Sequence, residues 1–317
     1  MENNLIKEST QLGITDLVIP SLGIGTWAWG EQLYWGYGRS YGEAEIKSAF
    51  VASLEAGINL FDTAEIYGRG NSERLLGKFI QESHHPVIIA TKFMPFPWRI
   101  RKNQMRSAMH ASLERLNLPQ VDLYQIHSPA SLVSIKTWAD GLADLVENGL
   151  SRAVGVSNYR ASQLRRAHTA LKQRGVSLAS NQVEFHLLNH SVEQNGLLTL
   201  CQDLGITLLA YSPLAQGLLT GKYSPKNPPS GLRSMRYSTD LLRRIGPLLR
   251  LMSEIGREHG GKTPAQVALN WTICKGTVPI VGVKTDRQLQ ENAKALGWRL
   301  SPSQIAALDK TSLGIQR

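Results

Sequence analysis

In the segment Asn59-Leu60-Phe61-Asp62-Thr63-Ala64-Glu65-Ile66-Tyr67-Gly68 an apolar run ends on Asp62, and Tyr67 follows shortly after, beside a glycine. Two later runs end in Ala90-Thr91-Lys92 and in Gln125-Ile126-His127-Ser128-Pro129. Each residue alone has an ordinary explanation: Asp62 as a turn cap, Tyr67 as a half-buried aromatic, Lys92 as a snorkelling rim residue, His127 as a satisfied loop histidine. Together, at the ends of three consecutive strands, they describe proton donation. A tyrosine with a pKa of about 10 is a feeble acid at neutral pH, but a nearby ammonium favours its phenolate. A buried lysine tends to lose its proton and so needs a carboxylate, which Asp62 supplies. A neutral imidazole can donate to a carbonyl oxygen and orient it. The set contains no hydride source, so a cofactor must bring one.

These side chains can meet only if their strands lie side by side. Eight β-like runs are expected: Leu22–Thr26, Asn59–Asp62, Val87–Thr91, Leu123–Ile126, Ala153–Val156, Ser180–Val183, Thr207–Ala210 and Pro279–Val283. Amphipathic stretches separate them, among them Ala44–Ala56, Gln104–Leu116, Ile135–Asn148, Ala161–Gln173 and Val192–Leu204. Strands alternating with helices signal repeated βαβ units and a parallel sheet. Gly57, Gly149 and Gly205 follow helices where a left-handed residue is wanted. Thr263-Pro264-Ala265-Gln266 opens a further helix with a cap, an N1 proline and a capping-box glutamine. Eight units close as a (β/α)8 barrel in one domain spanning residues 1–317, with an open doubly wound sheet as the alternative. Trp29–Tyr41 and Tyr223–Tyr237 are expected to be long loops on the C-terminal face, where barrel enzymes keep their sites.

Composition excludes several other readings. The 317 residues are 42% hydrophobic and include only Cys201 and Cys274, so neither a disulfide framework nor a cysteine-rich metal site is expected. No apolar run reaches the roughly 18 residues of a membrane span, and the first residues show no apolar signal core. A soluble, intracellular, cytoplasmic protein is expected. The charge of +10 comes from scattered groups such as Arg165/Arg166 and Arg243/Arg244, not from a stripe interleaved with aromatics, so no nucleic-acid partner is expected. Gly23-Ile24-Gly25-Thr26-Trp27-Ala28 has the form of a dinucleotide fingerprint, but it runs into Trp29-Gly30-Glu31, a poor helix start. A strand ending in a loop is the better reading.

With these motifs in place, the chain resembles the aldo-keto reductase superfamily from about Leu22 to Leu308. The resemblance rests on Phe61–Gly68, Ala90–Lys92, Ile126–His127, Gly155-Val156-Ser157-Asn158-Tyr159, Asn181–Phe185, Tyr211–Gly217, and Gly282-Val283-Lys284 through Gln288 to Glu291-Asn292. It implies a barrel enzyme that reduces a small-molecule aldehyde or ketone with NADPH, Tyr67 being the general acid, Lys92 and Asp62 its tuners, and His127 the orienting group. It further implies that Ser157, Asn158 and Gln182 bind the nicotinamide carboxamide and Tyr211 stacks on its ring. Thr26, Trp27 and Asp62 would border that end. Ser212, Pro213, Leu214, Gln216, Gly217 and Lys222 would follow the pyrophosphate, and Gly282, Lys284, Gln288, Glu291 and Asn292 the adenosine end. A cation at Lys284 suits a 2′-phosphate. Trp27, Trp29, Trp35, Met94 and Trp98 are expected to form an apolar substrate pocket. The loop Gly25–Gly30 and Leu33–Gly38 resembles a branch found in plants and cyanobacteria. A second class stays open: a regulatory module resembling the potassium-channel β subunits, which keep the same barrel and cofactor site.

Overall fold

The computed structural model describes residues 8–229 and 237–315, and its first element is not among those expected. Strands β1 (Ser9–Gln11) and β2 (Val18–Pro20) form an antiparallel hairpin. Leu12, Leu17 and Ile19 from this hairpin belong to the innermost apolar cluster. The Gly13 N–H donates to Thr207 Oγ1 at 2.7 Å, and a Cβ on Gly13 would lie 2.7 Å from the Ala179 carbonyl oxygen. The hairpin therefore plugs the end of the barrel where strands begin.

The barrel strands are β3 (Gly23–Gly25), β4 (Leu60–Asp62), β5 (Ile88–Phe93), β6 (Val121–Ile126), β7 (Ser151–Ser157), β8 (Leu178–Glu184), β9 (Thr207–Tyr211) and β10 (Val278–Gly282). All pair in parallel, and β10 closes on β3. Each overlaps an expected run. The helices are α1 (Glu43–Glu55), α2 (Asn71–Ser83), α3 (Asn103–Leu116), α4 (Ile135–Glu147), α5 (Ala161–Lys172), α6 (Ser191–Gln194), α7 (Leu197–Asp203), α8 (Thr239–Arg244), α9 (Gly246–Glu258), α10 (Pro264–Cys274), α11 (Asp286–Ala293) and α12 (Pro302–Leu313). Thr263 and Gln266 make the anticipated capping box on α10. The single helix expected over Val192–Leu204 is instead two, α6 and α7, because Asn195-Gly196 interrupts it. Among the described residues no helix is long and apolar enough to cross a membrane.

Strand parity decides what the barrel encloses. Residues two apart share a face of a strand. Leu60, Ala90, Leu123, Ala153 and Leu209 point inward and fill the lower barrel. Two residues further along their strands come Asp62, Lys92, Gln125, Gly155 and Tyr211. The interior thus passes from an apolar layer to a polar one at the C-terminal rim. Tyr124 and Ile126, of opposite parity, pack with the helices in the outer core. The loop after β9 is described as far as residue 229; residues 230–236, and with them its closure over the barrel mouth, lie outside the described residues.

Candidate active site

Lys92 is fully buried, and its Nζ lies 2.5 Å from Asp62 Oδ2. Burying an ammonium costs several kcal/mol unless a counter-charge and acceptors replace its water. The Thr63 carbonyl supplies a further acceptor at 2.8 Å, and Lys92 Nζ donates to the Tyr67 hydroxyl at 3.4 Å. The other carboxylate oxygen of Asp62 accepts from Gln182 Nε2 at 2.8 Å and from Gln125 Nε2 at 3.3 Å. Asp62 is thus pinned from both sides. Tyr67 opens a tight turn, Tyr67–Gly70, in which Gly68 and Arg69 take left-handed backbone, and its hydroxyl reaches Lys92 of β5. His127 directly follows β6, where its N–H donates to the Phe93 carbonyl at 2.8 Å. Its ring stands edge-on to Tyr67 at 5.7 Å.

The electrostatics depart from expectation at Tyr67. Burial raises its pKa above the ordinary tyrosine value, and the Lys92 ammonium, which pulls the other way, only partly offsets this. Asp62 adds to the rise. The expected lowering by lysine is present but outweighed, so the phenol stays protonated. Lys92 itself is drawn down by burial, yet Asp62 and Tyr67 more than compensate and its pKa rises. Burial, aided by the Lys92 charge, lowers His127 to about 3. A neutral imidazole results, and its Nδ1 is buried with no partner among the described residues. The cluster therefore holds a protonated phenol, a fixed cation beside it, and a neutral imidazole with hydrogen-bonding capacity to spare.

An aromatic wall borders the cluster. Trp27 is tilted against Tyr67 at 6.2 Å, stacks on Tyr34 at 5.4 Å, and meets Trp35 edge-on at 5.4 Å. Met94 is held by its N–H, which donates to Glu65 Oε1 at 2.6 Å, and Glu65 is gripped bidentately by Arg99. One expected pocket residue lies elsewhere. Trp29 is fully buried between Phe61 and Phe79, with Nε1 donating to the Val283 carbonyl at 3.0 Å. It belongs to the core because the chain turns inward after Thr26. Trp98 is 68% exposed and stacks on Phe96.

The expected cofactor residues from Ser157 to Asn292 lie on β7, β8, β9, β10 and α11 and in the segments that follow β7, β9 and β10. Asn158 takes left-handed backbone and bridges His127 O, Ser157 Oγ and the Tyr211 hydroxyl. Ser157 Oγ donates to the Gln182 carbonyl at 2.9 Å. After β9 the backbone is left-handed at Ser212, Ala215, Gln216 and Gly217, and the Ala215 N–H donates to the Ser212 carbonyl at 2.8 Å. Pro213 and Leu214 shape the turn, and the Leu214 carbonyl accepts from Gly217 N at 2.9 Å. A Cβ on Gly217 would lie 3.1 Å from Lys222 Cε, so glycine leaves that cation room beside the turn. Gln216 Oε1 accepts from the hydroxyls of Tyr34 and Tyr237. Past Gly282, the Lys284 N–H donates to Gln288 Oε1 at 2.8 Å. Glu291 bonds Gln266 and pairs with Lys294, and Asn292 is buried. Thr26 corrects its expected role: it is fully buried, its hydroxyl donating to the Asp62 carbonyl and bonded to Ser72, so it braces β4 from behind. Amide side chains, an aromatic ring and two separated cations together suit a phosphorylated dinucleotide.

Four contributors were not singled out from the sequence. Gln125 shares the inward parity of Leu123 and could have been found from that alone. Tyr34 lies in the aromatic loop without a motif to single it out. Glu65 and Arg99 are 34 positions apart and meet only in the fold.

The comparisons agree with this geometry. The model of the Aldo/keto reductase family matches residues 21–312. A chloroplastic pyridoxal reductase from Arabidopsis thaliana is 48% identical, with 92% of this chain and 83% of that protein covered. A putative voltage-gated potassium channel subunit beta from Schizosaccharomyces pombe is 30% identical, with 94% and 91% covered. Among solved structures, an aldo/keto reductase from Klebsiella pneumoniae in complex with NADP and acetate superposes with a TM-score of 0.77 at 26% identity, with 98% and 97% covered. A family match over nearly the whole barrel, on a chain whose strand ends carry Asp62, Tyr67, Lys92 and His127, leaves one conclusion: the chain belongs to the aldo/keto reductase family.

Proposed function

We propose that this chain reduces planar aromatic or heteroaromatic aldehydes, of the pyridoxal kind, to alcohols with NADPH. The observation that carries the reading is the convergence of Asp62, Lys92, Tyr67 and neutral His127 beside an aromatic wall. When bound, NADPH supplies the hydride that the carbonyl carbon receives. Tyr67 gives its phenolic proton to the carbonyl oxygen, and the phenolate left behind faces the Lys92 ammonium. Asp62 keeps that ammonium charged and in place. His127 offers one N–H to the carbonyl oxygen and fixes its direction. Trp27 and Tyr34 present flat rings to a planar substrate. The Arabidopsis relative supports the heteroaromatic class, and Lys284 with Thr285 at the adenosine end supports the phosphorylated cofactor.

A fluorescence titration with NADPH and NADH, followed by loss of nicotinamide absorbance with pyridoxal and benzaldehydes, tests the reading. Tight NADPH binding with steady turnover is expected. Binding without turnover across the panel would instead favour a regulatory subunit, the reading that the fission-yeast relative supports. No binding of either nucleotide would sink both.

His127 also sets a pH dependence. With its pKa at about 3 and that of Tyr67 raised, neither group titrates between pH 5 and 9, so kcat/KM for reduction is expected to be flat there. Stability behaves differently. Below pH about 6.5 the unfolded chain takes up a proton that folded His127 refuses until about pH 3. Across that window this one group removes up to about 1.4 kcal/mol of stability per pH unit of acidification. Denaturant unfolding at several pH values should show a shallower acid slope in His127→Gln. An inflection near pH 6.5 in the rate profile would contradict a neutral, buried imidazole.

A further inference from the structure

Lys284 does more than face the expected position of a cofactor phosphate. Its Nζ donates to the Trp35 carbonyl at 2.9 Å and lies 4.9 Å from the Trp35 ring centroid and 4.3 Å from that of Tyr41. Both rings belong to the loop between β3 and α1, far from Lys284 in sequence. That loop is knotted internally by Glu31, whose carboxylate accepts the N–H groups of Leu33, Tyr34 and Trp35. Trp29 and Tyr41 of this loop are buried in the core and Trp35 and Tyr37 pack against it, and several polar contacts also tie the loop to the rest of the barrel. One is Trp29 Nε1 on the Val283 carbonyl, one is the Tyr34 hydroxyl on Gln216, and one is Lys284. Trp35 in turn meets Trp27 edge-on, and Trp27 lies against Tyr67. Two rings, those of Trp35 and Trp27, therefore stand between Lys284 and the phenol.

We propose that Lys284 is a positioning residue for the aldehyde pocket: it anchors the aromatic wall through Trp35, independently of any phosphate it binds, and so sets the affinity for substrate. The chemistry suits both duties. An ammonium has three donors, so one can hold the Trp35 carbonyl while the group faces an anion. A cation held over two rings is attracted to the negative faces of both. Lysine at this position thus joins the adenosine end of the cofactor groove to the substrate wall.

The inference rests on the reductase reading for its kinetic arm but not for its structural one. Lys284→Met and Lys284→Arg would be compared with the parent protein. In the first arm, amide hydrogen exchange over residues 31–41 is measured without nucleotide. Exchange about tenfold faster in Lys284→Met, restored towards the parent rate in Lys284→Arg, is expected from loss of the cation–ring and carbonyl contacts. In the second, aldehyde KM is measured with NADH, which has no 2′-phosphate. Lys284→Met should raise that KM about tenfold while kcat changes by less than about threefold. Unchanged exchange over 31–41, or an NADH-supported KM equal to the parent value with only NADPH binding weakened, would overturn the proposal. If the parent protein reduces no aldehyde, the reductase reading fails and the exchange arm still decides the role of Lys284.

Discussion

Tyr67→Phe should lower kcat for aldehyde reduction about 10³-fold while NADPH affinity stays within a few fold, since a positioned general acid contributes roughly 10²–10⁴ in rate. The geometry explains the split. The Tyr67 hydroxyl touches Lys92 at 3.4 Å and is not among the amide and cationic groups of the expected cofactor path. Stability should change little, because Lys92 keeps Asp62 at 2.5 Å and the Thr63 carbonyl at 2.8 Å. Steady-state kinetics, nucleotide titration and a thermal melt on one preparation distinguish the outcomes. A parallel loss of nucleotide binding would mean that the phenol holds the cofactor or the local fold, not the proton.

Lys92→Met carries the second large effect, and here stability moves as well. Removing the ammonium leaves the Asp62 carboxylate 3% exposed, bonded to Gln182 and Gln125 but without its counter-charge. Breaking a buried pair in this way costs about 3–5 kcal/mol. Activity should fall at least about 10²-fold besides, because the phenolate formed on proton transfer loses the cation that faces it. Asp62→Asn in the Lys92→Met background removes the stranded charge, so the double variant should be more stable than Lys92→Met alone. Non-additivity of about 1–3 kcal/mol in denaturant unfolding is expected for groups in direct contact. Additive effects would show that the two charges are not coupled as their separation requires.

What could be read from the chain alone follows from local chemistry. The barrel strands were legible as short apolar runs set between amphipathic stretches, and the start of α10 because its cap residues are contiguous, whereas the break between α6 and α7 was not. The residues Asp62, Lys92 and His127 were legible as rim residues because each ends a run, and parallel pairing puts all such ends on one face. The β1–β2 plug was not legible, since its three-residue strands gain their order from Ala179 and Thr207, contacts remote in sequence. Trp29 and Trp27 stand two apart in one aromatic loop, and composition treats them alike. Only the fold buries the first between Phe61 and Phe79 and turns the second toward Tyr67. The sign of the Tyr67 shift was equally out of reach, because it depends on how much water burial removes as well as on which charge stands near. Residue types determined which ionisable groups this chain can bring to the site. Tertiary structure decided their distances, their solvation and which aromatic rings they face, because those quantities come from contacts between segments that sequence does not order in space.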